Sequence, residues 1–374
     1  MRFAVSLLSL RPGRVGGAET YLRELLRRIG PAAAAAGDEV VAVLHPEAAQ
    51  GLEAPGVERI LVPRGDRALV AARIAEAFTP WRDVAVERAF AAARADATLF
   101  PQQSVYPARV AGPVVLTVLD VQHIDHPEWF GRFDTRFRAA VYPRSLARAD
   151  RVLAISGFTG ATLRERCGVE PGRIEVVHLG AAQPPPAPQG GWPTLPEAPR
   201  PYLYYPAATW PHKDHATLLR SFAALRRGGR GAGQLGESLV LTGAKTREWP
   251  GLRRLAAELG VSEEVRHLGF RPRADLERLY ANASAVVFPS RYEGFGLPIL
   301  EAAARGCRVI ARPLPVYAEL GVPAEAQIDF GDPDALAAAL ARPGRTVLTR
   351  PPPTWDGCVS GTLAALRRAA SNRS

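Results

Sequence analysis

The sequence predicts an α/β protein with two doubly wound, parallel-sheet domains, and three observations support this prediction. Short apolar runs alternate with segments of helical periodicity along both halves of the 374-residue chain. The runs are continuously apolar, which is typical of strands covered on both faces in a parallel sheet. Eight prolines lie within residues 184–201, and this density favours an extended linker. We therefore expect an N-terminal domain over residues 1–183 and a C-terminal domain over 202–350, followed by a closing segment, 351–374.

Strands and helices are predicted in the same alternating order in each half. In the first half, the expected strands are residues 3–10, 39–44, 59–62, 97–100, 114–119 and 152–155. In the second half, they are residues 202–205, 239–241, 265–268, 285–288 and 308–311. Leucines and an isoleucine at positions i, i+3, i+4 and i+7 predict a helix after the first strand: Leu22, Leu25, Leu26 and Ile29.

Composition excludes several classes of protein. The chain is 47% hydrophobic and 22% charged, which is average for a globular protein and excludes global disorder. Its three cysteines, Cys167, Cys307 and Cys358, are far apart and suggest reduced thiols rather than a disulfide framework. No zinc-type spacing occurs, and no apolar run approaches the length of a membrane span. We interpret the apolar start as a buried strand rather than a signal peptide, and expect a cytoplasmic protein with no metal.

The charge favours an anionic partner. With 47 basic and 37 acidic residues, the net charge is +10. Nucleotides, anionic lipid surfaces and nucleic acids are all compatible with this excess, as is a diffusely charged surface. The arginine- and glycine-rich residues 226–236 resemble an RNA-binding segment, although a solvent loop is the stronger interpretation.

Residues 129–148 leave two interpretations open. Phe130, Phe133 and Phe137 recur at i, i+3 and i+7 among five arginines. Such a helix could rest peripherally on an anionic membrane at the inner face. Alternatively, the phenylalanines belong to the core and the arginines form a solvated face, which is the commoner arrangement.

The sharpest motif spans residues 288–302. A strand ends at Phe288, a glycine-containing loop follows, and Pro298 suits the first turn of a helix. The backbone N–H groups at that helix start would form an anion site. Glu293 and Glu301 flank this turn, and carboxylates are natural acceptors for the hydroxyl groups of a sugar or ribose.

This segment resembles the E-x7-E signature of retaining glycosyltransferases of the two-domain GT-B fold, particularly family 4. The resemblance continues through residues 149–159, 205–215 and 268–270 and covers nearly the whole chain. It implies two Rossmann-like domains facing a central cleft, with the segment from Trp355 returning toward the N-terminal domain. It also implies a nucleoside diphosphate sugar as donor, bound by the C-terminal domain without a metal or other cofactor.

The resemblance assigns roles to individual residues. Glu293 would contact the transferred sugar, Glu301 the ribose hydroxyls, and Lys213 the diphosphate. Backbone amides in the signature would hold the same diphosphate, namely those of Phe295, Gly296 and Leu297. The chain has one other lysine, Lys245, while arginine supplies its remaining basic side chains; this supports a role for Lys213 that needs a compact ammonium.

Two positions depart from the family pattern. Many members have an arginine where this chain has Ala207, so Arg291 is our candidate for a second cation. A predicted strand ends near Leu119, so Asp120 and His123 are candidate catalytic residues at its carboxyl edge, with a structural loop role as the alternative for His123. Many family members have a histidine where this chain has Leu119; the role of that histidine would pass to His123 or be lost.

A glycine pair in the first half is another donor-site candidate. Gly16 and Gly17 precede the first predicted helix, where the family has a glycine pair beside the donor phosphate and acceptor. A plain turn remains the alternative for this pair.

The resemblance thus implies a retaining hexosyltransferase that acts on a saccharide or lipid-linked acceptor. Residues 211–213 look most like those of mannosyl- or rhamnosyltransferases, so GDP-mannose is the first choice of donor. A catalytically silent scaffold of the same fold is the main alternative, because of Leu119 and Ala207. An arginine-rich nucleic-acid binder is a weaker one, and we expect no nucleic-acid partner.

Overall fold

The computed structural model describes residues 1–11, 16–228 and 238–372, which form two compact units. The N-terminal unit comprises Met1–Gly180 and Pro353–Ser374, and the C-terminal unit comprises Ala181–Pro352. Most of the arginine- and glycine-rich run at 226–236 lies outside the described residues. The expected cleft between the domains stays a prediction.

The N-terminal unit is built on a seven-stranded parallel sheet of order β3-β2-β1-β4-β5-β6-β7. Its strands are β1 (Arg2–Ser6), β2 (Glu39–Leu44), β3 (Val57–Leu61), β4 (Ala97–Phe100), β5 (Val114–Val118), β6 (Arg151–Ala154) and β7 (Ile174–Val176). The connecting helices are α1 (Gly17–Ala34), α2 (Pro46–Ala49), α3 (Asp66–Phe78), α4 (Val84–Ala92), α5 (Gln122–Asp125), α6 (Arg132–Arg148) and α7 (Gly157–Cys167). This strand order is the doubly wound arrangement of Rossmann-like domains.

The C-terminal unit repeats the plan with a five-stranded parallel sheet of order β10-β9-β8-β11-β12. Its strands are β8 (Tyr202–Pro206), β9 (Ser238–Thr242), β10 (Val265–His267), β11 (Ala285–Phe288) and β12 (Val309–Ala311). Its helices are α8 (His215–Arg227), α9 (Trp249–Glu258), α10 (Arg273–Asn282), α11 (Leu297–Ala304), α12 (Pro315–Glu319) and α13 (Ala335–Ala341). Short 3-10 turns occur in both units at Pro127–Trp129, Pro171–Arg173, Pro211–Lys213 and Ala324–Ala326.

The last helix, α14 (Trp355–Ser371), packs against the N-terminal sheet rather than the unit that precedes it. Gly180 approaches Trp355 so closely that a Cβ there would lie 2.2 Å from the Trp355 backbone nitrogen. Near the other end of the helix, Arg367 pairs with Asp38 at 2.7 Å. The chain therefore closes on the domain in which it began.

The proline-rich stretch is not a free connector, because it belongs to the C-terminal unit. Leu195 and Ala198 are buried within it, and the Asn282 side-chain amide donates to the carbonyl of Trp192. The segment is thus held on the unit whose sheet it precedes.

Every predicted strand is present, with two differences in the N-terminal unit. The first strand ends at Ser6 instead of residue 10, because Leu7 and Leu10 form a turn in which the Leu10 N–H donates to the Leu7 carbonyl. The sequence does not predict β7, in which Ile174 and Glu175 are partly buried and Val176 is exposed. None of the described helices is both long and apolar enough to cross a membrane.

Candidate active site

Lys213 and Glu293 meet at the edge of the C-terminal sheet. Lys213 follows β8 and Glu293 follows β11, and these adjacent strands flank the point where the strand order reverses. Ligands of doubly wound sheets bind outside the carboxyl ends of the strands at this point. Lys213 Nζ lies 2.6 Å from Glu293 Oε1, and the side chains are 17% and 13% exposed, respectively.

The environment of this pair favours a charged Glu293. Burial raises the pKa of the carboxyl, but the charge and hydrogen bond of Lys213, with His212 and Ser290, lower it below its usual range. Burial and the nearby ammonium of Lys213 together lower the pKa of His212 to about 4. At neutral pH the pair is therefore an ammonium and a carboxylate beside an uncharged imidazole.

The turn that carries Lys213 is anchored on both sides. The Tyr205 hydroxyl donates to the Lys213 carbonyl at 2.9 Å. The next residue, Asp214, caps α8 by accepting the Thr217 N–H at 3.4 Å. Arg312 binds the other Asp214 oxygen at 2.7 Å. The sequence does not predict this role for Arg312, because the arginine lies 98 residues from its partner.

Helix α11 begins at the predicted anion site. Gly296 precedes the helix with a φ of 109°, a conformation that favours glycine. Its carbonyl accepts the Ile299 N–H, and Pro298 occupies the first turn. Pro298 has no N–H and the Ile299 N–H is already bonded, so the predicted anion site rests on the amides of Gly296 and Leu297 at the start of the helix.

A Gly296→Ala variant should lose about 2 kcal/mol of stability, because an added Cβ would combine backbone strain with a clash. That Cβ would lie 2.9 Å from Cε1 of the buried Tyr317 ring. Gly37→Ala is the matched control, since Gly37 has a φ of 73° but nothing within 4 Å of the added Cβ. Urea unfolding of both variants measures the difference; equal losses would show that the approach to Tyr317 is unimportant.

Glu301 lies one turn into α11 against a polar network. The Tyr280 hydroxyl donates to Glu301 Oε2 at 3.3 Å. Arg305 donates to the Glu301 carbonyl at 2.7 Å and makes two hydrogen bonds with Glu277, each 2.6 Å. Burial is the largest influence on the Glu301 carboxyl and raises its pKa. Arg305, Glu277 and Tyr280 are functional candidates that the sequence motif does not reveal.

Two residues near this site, Ala207 and Arg291, concern the arginine that many family members have at the position of Ala207. Ala207 is buried just after β8, where Gly243 approaches its backbone closely. Arg291 is exposed, and its backbone N–H donates to the His212 carbonyl at 2.8 Å. The structure thus places Arg291 beside the Lys213 turn, and its role as second cation stays a prediction.

The N-terminal candidates lie at the carboxyl edge of their own sheet. Gly16, with a φ of 54°, caps α1, and Gly17 is the first residue of that helix. Asp120 follows β5, and its side chain accepts the Gln122 N–H at 3.3 Å. The Gln103 side chain donates to the Asp120 carbonyl at 3.2 Å.

His123 packs against the rings of Tyr142 and Phe130. Its ring centroid lies 4.5 Å from that of Tyr142 and 6.4 Å from that of Phe130, edge to face in both cases. Burial, with a contribution from Arg138, lowers the His123 pKa to about 4, so the ring is neutral at physiological pH. Its Nδ1 is buried without a hydrogen-bond partner among the described residues. The catalytic assignment of Asp120 and His123 stays a prediction. Among all the residues that the structure describes, no group of three or more His, Cys, Asp or Glu side chains could hold a metal ion.

Two family models together cover most of the chain. Residues 15–181 match Glycosyltransferase Family 4, and residues 193–342 match Glycosyl transferases group 1. With two doubly wound parallel-sheet domains, the chain belongs to these glycosyltransferases and has the GT-B fold.

Individual relatives share modest identity. The chain is 28% identical over 270 residues to the Escherichia coli O-antigen chain mannosyltransferase B, covering 68% of this chain and 70% of that protein. It is 28% identical over 247 residues to the serotype-specific mannosyltransferase WbdA of Escherichia coli, covering 60% of this chain but 29% of that longer protein. A D-inositol 3-phosphate glycosyltransferase of Salinispora arenicola is 34% identical over 184 residues, which are 44% of this chain and 40% of the relative.

Solved structures show the same fold over nearly the whole chain. WaaG, a glycosyltransferase involved in lipopolysaccharide biosynthesis, superposes with a TM-score of 0.62 at 16% identity, covering 98% of this chain and 95% of WaaG. Anabaena HepE in complex with UDP and glucose superposes with a TM-score of 0.61 at 20% identity, covering 99% and 95%. At these identities, the likeness establishes the fold alone.

Proposed function

We propose that this glycosyltransferase moves a hexose, with retention of configuration, from a nucleoside diphosphate sugar to a saccharide or lipid-linked acceptor. Mannose from GDP-mannose is the proposed donor sugar, and the reaction needs no metal or other cofactor. The observation that carries the proposal is the Lys213–Glu293 pair beside the start of α11, at the switch point of the sheet. The mannosyltransferase relatives support the choice of sugar.

Each charged group of the site would bind a different part of the donor. Lys213 and the first turn of α11 would neutralise the departing diphosphate, which is the group that gains charge as the glycosidic bond breaks. Binding of that diphosphate would draw Lys213 from Glu293 and leave the carboxylate free to accept sugar hydroxyls. Glu301 would accept the ribose hydroxyls. In a front-face transfer, the acceptor oxygen bonds to the anomeric carbon on the face the diphosphate leaves, and the departing phosphate takes the acceptor proton.

Polysaccharide or glycoconjugate assembly at the cytoplasmic face of a membrane is the proposed setting. The relatives named for O-antigen synthesis support this setting. The N-terminal unit would bind the acceptor in this scheme.

A nucleotide panel tests the donor site. GDP, UDP, ADP, dTDP and CDP are added to the wild type and to the Lys213→Ala and Glu301→Ala variants, and unfolding is followed with temperature. At 100 times its dissociation constant, the correct nucleotide stabilises the wild type by about 2.7 kcal/mol. We expect GDP to give the largest shift and both variants to weaken it, while Lys245→Ala, at the other lysine, retains it. A shift that is unchanged in both variants would contradict the assigned site.

A silent scaffold is the second candidate, and Leu119 and Ala207 are the observations that favour it. Slow hydrolysis separates the two functions. The proposed enzyme should release mannose from GDP-mannose without an acceptor, and Lys213→Ala should reduce that release. A protein that binds GDP but neither hydrolyses nor transfers would be the scaffold.

A further inference from the structure

A small cavity lies between α3 and α6 in the N-terminal unit. Its volume is about 150 Å3. This is smaller than the pockets that usually hold drug-sized ligands, so it suits a compact chemical group. The residues that matter in its lining are Arg73, Glu76, Tyr106, Phe137, Arg144 and Arg148.

Positive charge in this cavity is only partly balanced. Arg73 donates to the hydroxyls of Ser9 and Ser104, each at 2.8 Å, and Arg144 donates to a backbone carbonyl. Neither arginine forms an ion pair with another of the described residues. Arg148 has a carboxylate partner, Asp150, at 3.4 Å.

The carboxylate in the lining, Glu76, offsets part of this charge. Glu76 accepts the backbone N–H of Ala108 at 3.1 Å, and burial raises the pKa of its carboxyl. Burial is also the largest influence on Arg73 and lowers the pKa of its guanidinium, although the charge of Glu76 acts in the opposite direction. An incoming anion would relieve this cost.

Exposed aromatic rings lie beside the cavity. Phe78, at the end of α3, is 50% exposed, and Phe133, on α6, is 56% exposed. The ring centroid of Phe78 lies 6.2 Å from that of Phe133 and 6.5 Å from that of Phe137, which itself lines the cavity. We call Phe78, Phe133 and Phe137 the aromatic cluster.

The phenylalanines of residues 129–148 do not form a buried core stripe, while membrane contact stays a prediction. Phe133 is not in the core, and Ser145 is the one buried residue of α6. The helix carries five arginines and a single acidic residue, Asp134. Exposed aromatic rings among arginines are typical of surfaces that rest at an anionic lipid interface.

We propose that the cavity binds the phosphate or diphosphate headgroup of a membrane lipid, while the aromatic cluster enters the bilayer interface beside it. This deepens the proposed function and rests on it, since the lipid would be the carrier of the glycan acceptor. The cavity supplies the charge recognition and the cluster supplies the apolar contact. The two features share Phe137, so one lipid can engage both.

Vesicle sedimentation tests the proposal with three compositions: phosphatidylcholine alone, phosphatidylcholine with phosphatidylglycerol, and phosphatidylcholine with phosphatidic acid. The wild type should bind phosphatidic acid most tightly, because its phosphate is terminal and accessible to the cavity. Phosphatidylglycerol should bind less tightly, and phosphatidylcholine least. Equal binding to phosphatidylcholine and to both anionic mixtures would overturn the proposal.

Two variants separate the cavity from the cluster. Arg144→Gln should weaken binding to phosphatidic acid about fivefold, the effect of removing one basic side chain near an anionic surface, and abolish the preference over phosphatidylglycerol. Phe133→Ser should weaken binding to both anionic mixtures about tenfold. Arg144 is preferred to Arg73 for this test because Arg73 also links Ser9 to Ser104.

Matched controls lie elsewhere on the surface. Arg254→Gln removes an exposed arginine of α9, and Leu61→Ser removes an apolar side chain on β3 that is 54% exposed. Both should bind as the wild type does. If Arg254→Gln were as damaging as Arg144→Gln, diffuse charge would explain the binding and the cavity would have no special role.

Free pyrophosphate and the nucleotide panel complete the design. Thermal stabilisation by pyrophosphate that Arg144→Gln abolishes, without any vesicle binding, would indicate a site for a soluble phosphate and overturn the lipid assignment. Sedimentation needs no donor and no turnover. A failed donor site with intact vesicle binding would therefore count against the proposed function and not against the lipid-binding cavity.

Discussion

Replacing Lys213 with alanine is expected to lower kcat/KM for transfer by about 100- to 1,000-fold, the loss typical of removing one charge-stabilising group from a transition state. The Tyr205 hydroxyl and the Asp214 cap hold the backbone of the turn that carries Lys213, so this turn is in place before the donor binds. The fall should be mainly in kcat, because the diphosphate gains charge as the glycosidic bond breaks. Steady-state kinetics with GDP-mannose and a saccharide or lipid-linked acceptor measure both constants.

The same variant should also be less stable at neutral pH, by about 3 kcal/mol, because the buried Glu293 loses its counterion. In the wild type, the Glu293 pKa lies below its usual range, so the pair stabilises fully above about pH 4.3 and this contribution is lost as pH falls through the folded pKa. Without Lys213, burial would instead raise that pKa. The deficit of the variant should therefore be largest at neutral pH and shrink toward pH 4.

Lys245→Ala is the matched control for both measurements. Lys245 is the other lysine of the chain, and it is exposed beside the Trp249 ring at 5.3 Å. It should leave transfer unchanged and alter stability by less than about 0.5 kcal/mol. If Lys213→Ala and the wild type had equal kcat and KM, Lys213 would not contribute to catalysis.

Much of this site could be predicted because its parts lie close together in sequence. The strand, loop, glycine and proline of residues 288–302 are local signals, and each dictates a local structure. The position of Glu293 after a strand is enough to place it at the carboxyl edge of a parallel sheet. The family resemblance assigned Glu293 and Lys213, 80 residues apart, to one donor site, but it did not predict the direct contact between them.

What the sequence did not reveal are contacts between distant segments and surfaces left uncovered. Arg312 reaches Asp214 across 98 residues, and no local pattern marks either as a partner of the other. The exposed Phe133 is an equally clear case: its spacing with Phe130 and Phe137 is that of a core stripe. Whether another element covers such a stripe depends on tertiary packing, and here none of the described elements buries Phe133.

The second large effect is expected at Arg305, which we regard as a positioning residue for Glu301. Arg305 and Glu277 form a bidentate pair whose side chains are 5% and 3% exposed, respectively. The same guanidinium donates to the Glu301 carbonyl and lies 4.9 Å from the centroid of the Tyr280 ring. Through these contacts it fixes the turn of α11 from which the Glu301 carboxylate projects.

Arg305→Met should destabilise the protein by about 3 kcal/mol, because it leaves the Glu277 carboxylate buried without its main partner. The corresponding fall in melting temperature is about 6 to 12 °C for a domain of this size. Arg253→Met, at an exposed arginine of α9, should melt within about 2 °C of the wild type. The double variant Glu277→Leu with Arg305→Met should recover more than half of the lost stability, since it leaves no buried charge without a partner.

Kinetics distinguish positioning from stability alone. At a temperature where the Arg305→Met variant is fully folded, KM for the donor should rise about tenfold while kcat changes little, because the ribose contact of Glu301 serves ground state and transition state alike. The double variant should keep this elevated KM although its stability recovers, since it also lacks the bond to the Glu301 carbonyl. If KM returned to the wild-type value together with stability, Arg305 would support the fold and not the orientation of Glu301.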